Sequence, residues 1–241
     1  MADRDSGQAF FVSFFGEDER VRGVFDIVGP VMIGPSSSHT AGAVRLGLMA
    51  RAILGEEPVR AGIQLTGSFA RTYRGHGTDK ALAAGILGFA PDDARIREAL
   101  TLAPSMGLEL AFQKVDIPDA SPNTAIIHLT GARGRSVEVR GSSIGGGNIL
   151  ITGIDRFKVE LTGELPALVT VHHDQPGVIM KIISILAGEG LNIAFMRLSR
   201  QNRGELAMMI IELDDAPSPK AVTACQALEV VEQAFAVPSI E

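Results

Sequence analysis

The sequence lacks tryptophan and contains a single cysteine, Cys225, among its 241 residues. One cysteine excludes an internal disulfide framework and is typical of a reducing compartment. The N-terminal segment has no basic region followed by a long apolar stretch, and no run approaches the ~20 apolar residues that a bilayer-spanning helix needs. We therefore expect a cytoplasmic protein that does not cross a membrane.

Basic tracts are also missing, and the formal net charge is −6. Because nucleic acids and anionic lipids are bound through clustered lysines and arginines, neither is an expected partner. Hydrophobic residues make up 46% of the chain and charged residues 21%, which is ordinary for a globular protein with a core. Glycine is abundant at 27 residues, which indicates tight turns and close backbone approaches.

Two regions follow one another along the chain. Gly163 and Pro166 supply the breakers of a linker, so the pattern predicts domains over 1–162 and 166–241. In the first, we predict a strand at 24–31, a helix in AGAVRLGLMARAILG, a strand in GIQLTGSFA and a loop in RTYRGHG. A helix capped by Thr78 or Asp79 follows, then a strand pair (AIIHLTG, SVEVRGSSIG) and a strand in IDRFKVELTG. The second region reads βαββαβ, which predicts an antiparallel sheet with two helices on one face.

The motif GPSSSHTAG lies where the first predicted strand passes into a helix. Its three consecutive hydroxyls (Ser36, Ser37, Ser38), His39 and Thr40 stand near free N–H groups and the positive end of the helix dipole. Such a site suits a small carboxylate. The alternative is a serine-rich cap that only begins the helix, with a structural histidine.

A second motif surrounds His76 with two glycines, Gly75 and Gly77, which leave the imidazole uncovered and able to approach a ligand. Histidine also has an intrinsic pKa suited to proton transfer. Asp79 either orients His76 or caps the next helix. Other histidines fit structural roles: His128 lies within a strand, and His172 and His173 point to opposite faces of one, which argues against a metal site.

A third motif, SSIGGGN, exposes consecutive backbone N–H groups at Gly145, Gly146 and Gly147, followed by Asn148. Such a run can cradle an anion, or form a plain turn. It lacks the spacing of a dinucleotide-binding loop and the Lys-Ser/Thr of a P-loop. Cys225 is expected to be a small buried hydrophobic residue.

Together, DIVGPVMIGPSSSHTAGAVRLG, TGSFARTYRGHGTDKALAAGILGF and SSIGGGNI resemble the β-chain signature of bacterial iron–sulfur L-serine dehydratases. HHDQPGVIMKIISILAGEGLNIAFMRLSR resembles an ACT domain, a small-ligand regulatory module. The resemblance implies an α/β (α+β) fold: a serine dehydratase β-chain domain, similar to an allosteric substrate-binding domain, followed by a ferredoxin-like ACT domain.

The family's reaction converts L-serine to pyruvate and ammonia, with pyruvate feeding gluconeogenesis or serine catabolism. A 4Fe–4S cluster with one open iron polarises the serine hydroxyl. Because clusters are held mainly by cysteine thiolates, the single cysteine cannot supply the ligands, and a cysteine-bearing α chain is the implied partner. The resemblance further implies a homodimer or a heterotetramer and an amino-acid effector that binds the ACT domain. We expect no metal ligands on this chain.

The resemblance also assigns roles to residues, although it leaves the α-proton base open between the two chains. His39, His76 and Asp79 are implied in catalysis. The implied substrate-binding residues are Ser36, Ser37, Ser38, Thr40, Gly77, Thr78, Gly145, Gly146, Gly147 and Asn148. The implied ACT ligand residues are Asp174, Gln175, Pro176, Gly177, Asn192 and Ile193.

Two rival hypotheses remain. The first region also resembles the allosteric domain of some phosphoglycerate dehydrogenases, which would make the chain a serine-sensing regulatory module without a catalytic role. A pure scaffold for the partner is the third possibility.

Asp174 stands where ligand-binding ACT domains often have Asn, so a purely dimerising ACT fold is a further alternative.

Overall fold

The computed structural model describes residues 32–34 and 36–240. The strand predicted at 24–31 lies outside these residues. A six-stranded sheet forms the first half of the fold, in the order β2-β1-β3-β4-β5-β6, and its pairs are antiparallel except for β1 with β2. Its strands are β1 Pro58–Leu65, β2 Glu109–Lys114, β3 Thr124–Gly131, β4 Ser136–Gly145, β5 Asn148–Ile154 and β6 Phe157–Leu161.

Helices cover this first sheet. A π-helical turn over Ser37–Ala41 runs directly into α1, and a 3-10 turn over Ala94–Glu98 precedes α4. The α-helices are α1 Gly42–Leu54, α2 Gly67–His76, α3 Thr78–Leu87 and α4 Ala99–Ser105.

Helices α1 and α3 cross at glycines, one of the close backbone approaches that the high glycine content indicated. A Cβ on Gly47 would lie 2.6 Å from the Leu82 carbonyl oxygen, and one on Gly85 would overlap the Val44 carbonyl oxygen. Only residues without a side chain allow two helix backbones to approach this closely. The crossing therefore sets the distance between the segments that precede the two helices, and these segments contain His39 and His76.

The second sheet is antiparallel, in the order β10-β7-β9-β8, and the chain order βαββαβ confirms the predicted ferredoxin-like topology. Two helices cover one face, where Leu168, Ile182, Met209 and Cys225 are fully buried, and burial of Cys225 confirms its predicted role. The elements are β7 Ala167–His173, α5 Val178–Gly188, β8 Ile193–Arg200, β9 Leu206–Leu213, α6 Pro219–Gln226 and β10 Val231–Val237.

The opposite face of the second sheet packs on the first half of the chain. Val169, Ile210 and Val237 belong to the same buried cluster as the residues of α1 and the first sheet. The Arg135 guanidinium lies 4.6 Å from the centre of the Phe235 ring. Because the two halves share apolar contacts, removing the second half would expose core residues of the first.

Three local predictions for the first region were wrong. RTYRGHG is not a loop but the end of α2, and GIQLTGSFA is a strand only to Leu65. The chain turns at Gly67 (φ 57°), where a Cβ would lie 2.5 Å from the Pro122 carbonyl oxygen. Gly77 in the left-handed region, rather than Thr78 or Asp79, is the N-cap of α3. β5 was also missed, because its sequence overlaps the glycine-rich motif.

Candidate functional site

The first motif forms the π-helical turn at the start of α1. Ser36 is its N-cap, and its hydroxyl accepts a hydrogen bond from the His39 backbone N–H at 3.2 Å. Ser37, Ser38 and His39 are half-buried, and Thr40 is buried. The turn lies against α2, α3 and β4, so it is the point where the three sequence motifs meet.

The structure brings His39 and His76 together. Their ring centres are 4.9 Å apart, with the ring planes tilted by 36°. His76 is the last residue of α2 and is exposed, and Gly77 (φ 70°) then redirects the chain into α3. Two imidazoles that are far apart in the sequence thus lie next to each other in the structure, and we call them the histidine pair.

His39 is held by contacts on several sides. Its Nδ1 lies 3.4 Å from the Ser36 hydroxyl and its Nε2 lies 3.3 Å from the Ser68 hydroxyl. The ring meets Phe69 edge-on at 5.4 Å between centres. Burial lowers the pKa of His39 below its ordinary value of 6.5, and the neighbouring His76 lowers that pKa further. At neutral pH His39 is therefore uncharged and able to accept a proton.

Each of the three motifs also contributes a buried hydroxyl without a hydrogen-bond partner among the described residues. These are Thr40 Oγ1, Thr78 Oγ1 and Ser143 Oγ. A buried polar atom left unpaired costs about 1–3 kcal/mol, so such atoms usually have a ligand or water to bind. Ser143 lies under the start of α1, where a Cβ on Gly42 would overlap its hydroxyl.

The glycine triplet is the turn between β4 and β5. Gly145, Gly146 and Gly147 all have φ between 62° and 106°, which non-glycine residues rarely adopt. The Gly147 carbonyl accepts a hydrogen bond from Arg45 of α1 at 3.1 Å, and Asn148 is exposed. The backbone of this segment is therefore a tight turn. The Arg45 hydrogen bond ties this turn to α1, the helix that follows His39.

Asp79 is buried in the first turn of α3 but is not joined to His76 by any hydrogen bond or ion pair among the described residues. Its carboxylate accepts the backbone N–H of Lys80 at 2.9 Å. It also lines a cavity of about 680 Å³, together with Tyr73, Arg74 and Leu108. The structure therefore does not orient His76 through Asp79.

In the second half of the chain, two of the six predicted ACT ligand residues, Asp174 and Asn192, form side-chain hydrogen bonds within the protein. Asp174 accepts hydrogen bonds from Arg200 at 2.7 Å and from the Gly204 backbone N–H at 3.1 Å. The Gly204 bond, followed by Arg200, lowers the pKa of Asp174. Asn192 donates to Asp214 at 2.7 Å, which sequence reasoning did not foresee. Of the remaining members, Gln175, Pro176 and Gly177 are exposed in the β7–α5 turn, and Ile193 is half-buried in β8.

The remaining histidines have the predicted structural surroundings. His128 is half-buried on β3, 3.3 Å from Glu138. His172 is buried against Thr170, whereas His173 is on the opposite face and pairs with Glu232 at 3.0 Å. Across residues 32–34 and 36–240, no group of three or more His, Cys, Asp or Glu side chains could hold a metal ion. Within the same ranges, every helix is too short or too polar to cross a bilayer.

Sequence reasoning missed Ser68 and Phe69, which flank His39 from α2. Ser68 lies in a segment that was predicted to be a strand, and nothing in the local pattern linked it to a histidine 29 positions earlier. Only the packing of α2 on the π-helical turn brings the two together.

Comparison with known proteins identifies the class to which this chain belongs. The model of the family "Serine dehydratase beta chain" matches residues 23–109. The "Probable L-serine dehydratase, beta chain" of Bacillus subtilis (strain 168) is 46% identical over 195 residues, 81% of this chain and 88% of that protein. The "L-serine dehydratase, beta chain" of Peptoniphilus asaccharolyticus is 39% identical over 191 residues, 79% and 86% respectively. The chain belongs to the family of L-serine dehydratase beta chains.

A more distant likeness covers a smaller part of the chain. The "D-3-phosphoglycerate dehydrogenase" of Synechocystis sp. is 32% identical over 139 residues, which are 56% of this chain and 25% of that protein.

Proposed function

We propose that this chain is the β subunit of a two-chain L-serine dehydratase, an L-serine ammonia-lyase. The observation that carries the proposal is the His39–His76 pair at 4.9 Å, together with buried hydroxyls of the same motifs that have no hydrogen-bond partner among residues 32–34 and 36–240. Family membership supplies the reaction, L-serine to pyruvate and ammonia. We also infer a cytoplasmic location, in keeping with the free thiol of Cys225.

The hydroxyls of this chain are suited to bind the substrate carboxylate. Within the described part of the chain, the Thr40, Thr78 and Ser143 hydroxyls have no hydrogen-bond partner. Ser37 and Ser38 are half-buried at the start of a helix whose dipole favours an anion. Gly145–Asn148 would form the edge of the same site. Fixed donors of this kind also stabilise the negative charge that develops on the carboxylate when the α-proton leaves.

The histidines are suited to move protons. His39 is uncharged at neutral pH because of burial and its neighbour, so it can accept a proton. His76 is exposed beside it and can exchange protons with a bound substrate or with solvent. We assign proton transfer to this pair and leave the α-proton base to either chain. Asp79 makes no hydrogen bond or ion pair with either imidazole among the described residues, and we assign its charge to the first turn of α3 rather than to the substrate.

This chain does not fit the requirements for holding the 4Fe–4S cluster by itself. Its one cysteine is buried in the core of the second half of the chain. Thiolate ligands are needed in larger number, so we propose that an α chain holds the cluster, whose open iron would act as a Lewis acid. The exposed His76 side of the histidine pair would then face that chain.

We propose that 166–241 is an ACT domain and that 1–162 is the β-chain domain. The βαββαβ order and the exposed turn at Gln175, Pro176 and Gly177 support it. An amino-acid effector would bind beside this turn and Ile193. Because Asp174 and Asn192 already have partners, an effector would have to compete with Arg200 and Asp214 for them.

The test is reconstitution. The chain is purified alone and after co-expression with a cysteine-bearing α chain, and iron, acid-labile sulfide and pyruvate formation from serine are measured in each preparation. We expect iron and activity only in the co-purified complex. A stable cluster and serine deamination in this chain alone would contradict the proposal.

The second candidate function is a serine-sensing regulatory module, which the likeness to D-3-phosphoglycerate dehydrogenase favours. Such a module would bind serine without any dependence of turnover on His39 or His76. Isothermal titration of the chain with serine, beside turnover by the complex, separates the two. Serine binding by this chain together with full activity of histidine variants would favour regulation.

A further inference from the structure

Ser68 lies outside the residues to which the family resemblance assigns a role, yet it contacts the centre of the site. It is the second residue of α2 and is half-buried. Its hydroxyl oxygen lies 3.3 Å from Nε2 of His39. This distance is compatible with a hydrogen bond whose direction depends on the proton position on the ring.

The Ser68 hydroxyl has no role in the helix that contains it. The Ser68 backbone N–H donates to the Pro122 carbonyl at 2.6 Å, and the Ser68 carbonyl accepts from the Thr72 hydroxyl at 2.9 Å. The N-cap of α2 is Thr66, and its cap makes no side-chain hydrogen bond. Within the described part of the chain, His39 is the one partner of the Ser68 hydroxyl, so a capping role does not explain this side chain.

The contacts on the two ring nitrogens favour one of the two neutral tautomers of His39. A neutral imidazole has one N–H donor and one acceptor nitrogen. The Ser36 oxygen accepts the His39 backbone N–H, so donation of the Ser36 hydrogen to Nδ1, 3.4 Å away, would give this hydroxyl one acceptor and one donor contact. With Nδ1 as acceptor, the ring proton is on Nε2, where the Ser68 oxygen accepts it.

We propose that Ser68 is a positioning residue for His39. This inference rests on the proposed function, in which His39 moves protons. Ser36 and Ser68 bind opposite nitrogens of one ring, while Phe69 contacts its edge, so the two hydroxyls fix both the tautomer and the ring plane that faces His76. A fixed ring avoids the loss of rate that follows when a proton-transfer group is misplaced.

The first test needs no substrate. Side-chain ¹⁵N chemical shifts are recorded for the full chain at a pH well above the ordinary histidine pKa of about 6.5, with a His39→Gln variant to assign the signals of this one among five histidines. We expect Nε2 to be protonated and Nδ1 to be an acceptor. A proton on Nδ1, or an even mixture of tautomers, would overturn the proposal whether or not the chain belongs to an active enzyme.

The second test uses the α–β complex and three variants. Ser68→Ala should convert His39 to a mixture of tautomers and lower kcat about tenfold, with KM changed less than about twofold. Ser68→Thr, which keeps the hydroxyl, should restore both measurements. Thr72→Ala, which removes a hydroxyl one turn further along the same helix, should change neither.

The two tests distinguish failure of the Ser68 proposal from failure of the proposed function. Unchanged His39 shifts and unchanged kcat in Ser68→Ala would refute the positioning role. A complex that never deaminates serine, but in which Ser68→Ala still alters the His39 tautomer, would refute the proposed function and leave the Ser68 contact established.

Discussion

Replacing His76 by alanine is expected to lower kcat for serine deamination by about 10²- to 10⁴-fold, the usual contribution of a group that transfers protons in the transition state. The imidazole is exposed at the end of α2, so its removal opens no cavity. We therefore expect unchanged thermal unfolding and unchanged binding to the α chain. Pyruvate release by the co-purified complex measures the effect.

The same variant makes a prediction about pH. His76 is the second cause, after burial, of the low pKa of His39. In His76→Ala the pKa of His39 should rise toward 6.5 but remain below it, because Phe69 and Ser68 still cover the ring. Since His39 is active when uncharged, the acid limb of any residual activity should move to higher pH, and NMR titration of His39 measures the same shift directly.

His173→Ala is the matched control. His173 is also partly exposed and at the end of a secondary-structure element, but it pairs with Glu232 in the second half of the chain. Its replacement should leave kcat within about twofold, since a partly exposed polar pair far from the histidine pair contributes little. Equal losses in the two variants, or full activity in His76→Ala, would remove the catalytic assignment and favour the scaffold or regulatory alternatives.

Replacing Gly85 by alanine is expected to destabilise the chain by about 3 kcal/mol, at the upper end of the usual cost of overpacking. The new methyl group would overlap the Val44 carbonyl oxygen and lie 2.8 Å from the Leu48 nitrogen. Both are backbone atoms, so no side-chain rotation relieves the contact. Helices α1 and α3 would have to separate, and we expect kcat to fall as well, because each follows one histidine of the pair.

Gly188→Ala separates this steric effect from the ordinary effect of glycine in a helix. Gly188 ends α5, and a Cβ there would have nothing within 4 Å. We expect a gain of about 0.5–1 kcal/mol from reduced freedom of the unfolded chain. Urea unfolding measures both variants, and a Gly85→Ala midpoint at or above that of the wild type would show that the helix crossing is not tightly packed.

Local pattern was sufficient for much of the second half of the chain. The order βαββαβ that the pattern predicted agrees with β7–β10 and both helices, because each element there is specified by its own periodicity. In the first half, α2 was missed because Arg71, Thr72 and Arg74 lack an apolar stripe. That helix forms because Phe69 is buried against the core, which no short window shows.

The linear sequence by itself shows one cysteine, which is too few to hold a 4Fe–4S cluster. It also contains the three motifs whose residues are the candidates for the site. Tertiary structure alone decided which candidates meet. It joined His39 to His76 and Ser68, whereas the Asp79 carboxylate accepts the Lys80 backbone N–H. It also gave Asp174 and Asn192 partners of their own. The reason is that contacts across helix crossings and hairpins depend on packing between distant segments, whereas periodicity and composition report only on neighbours along the chain.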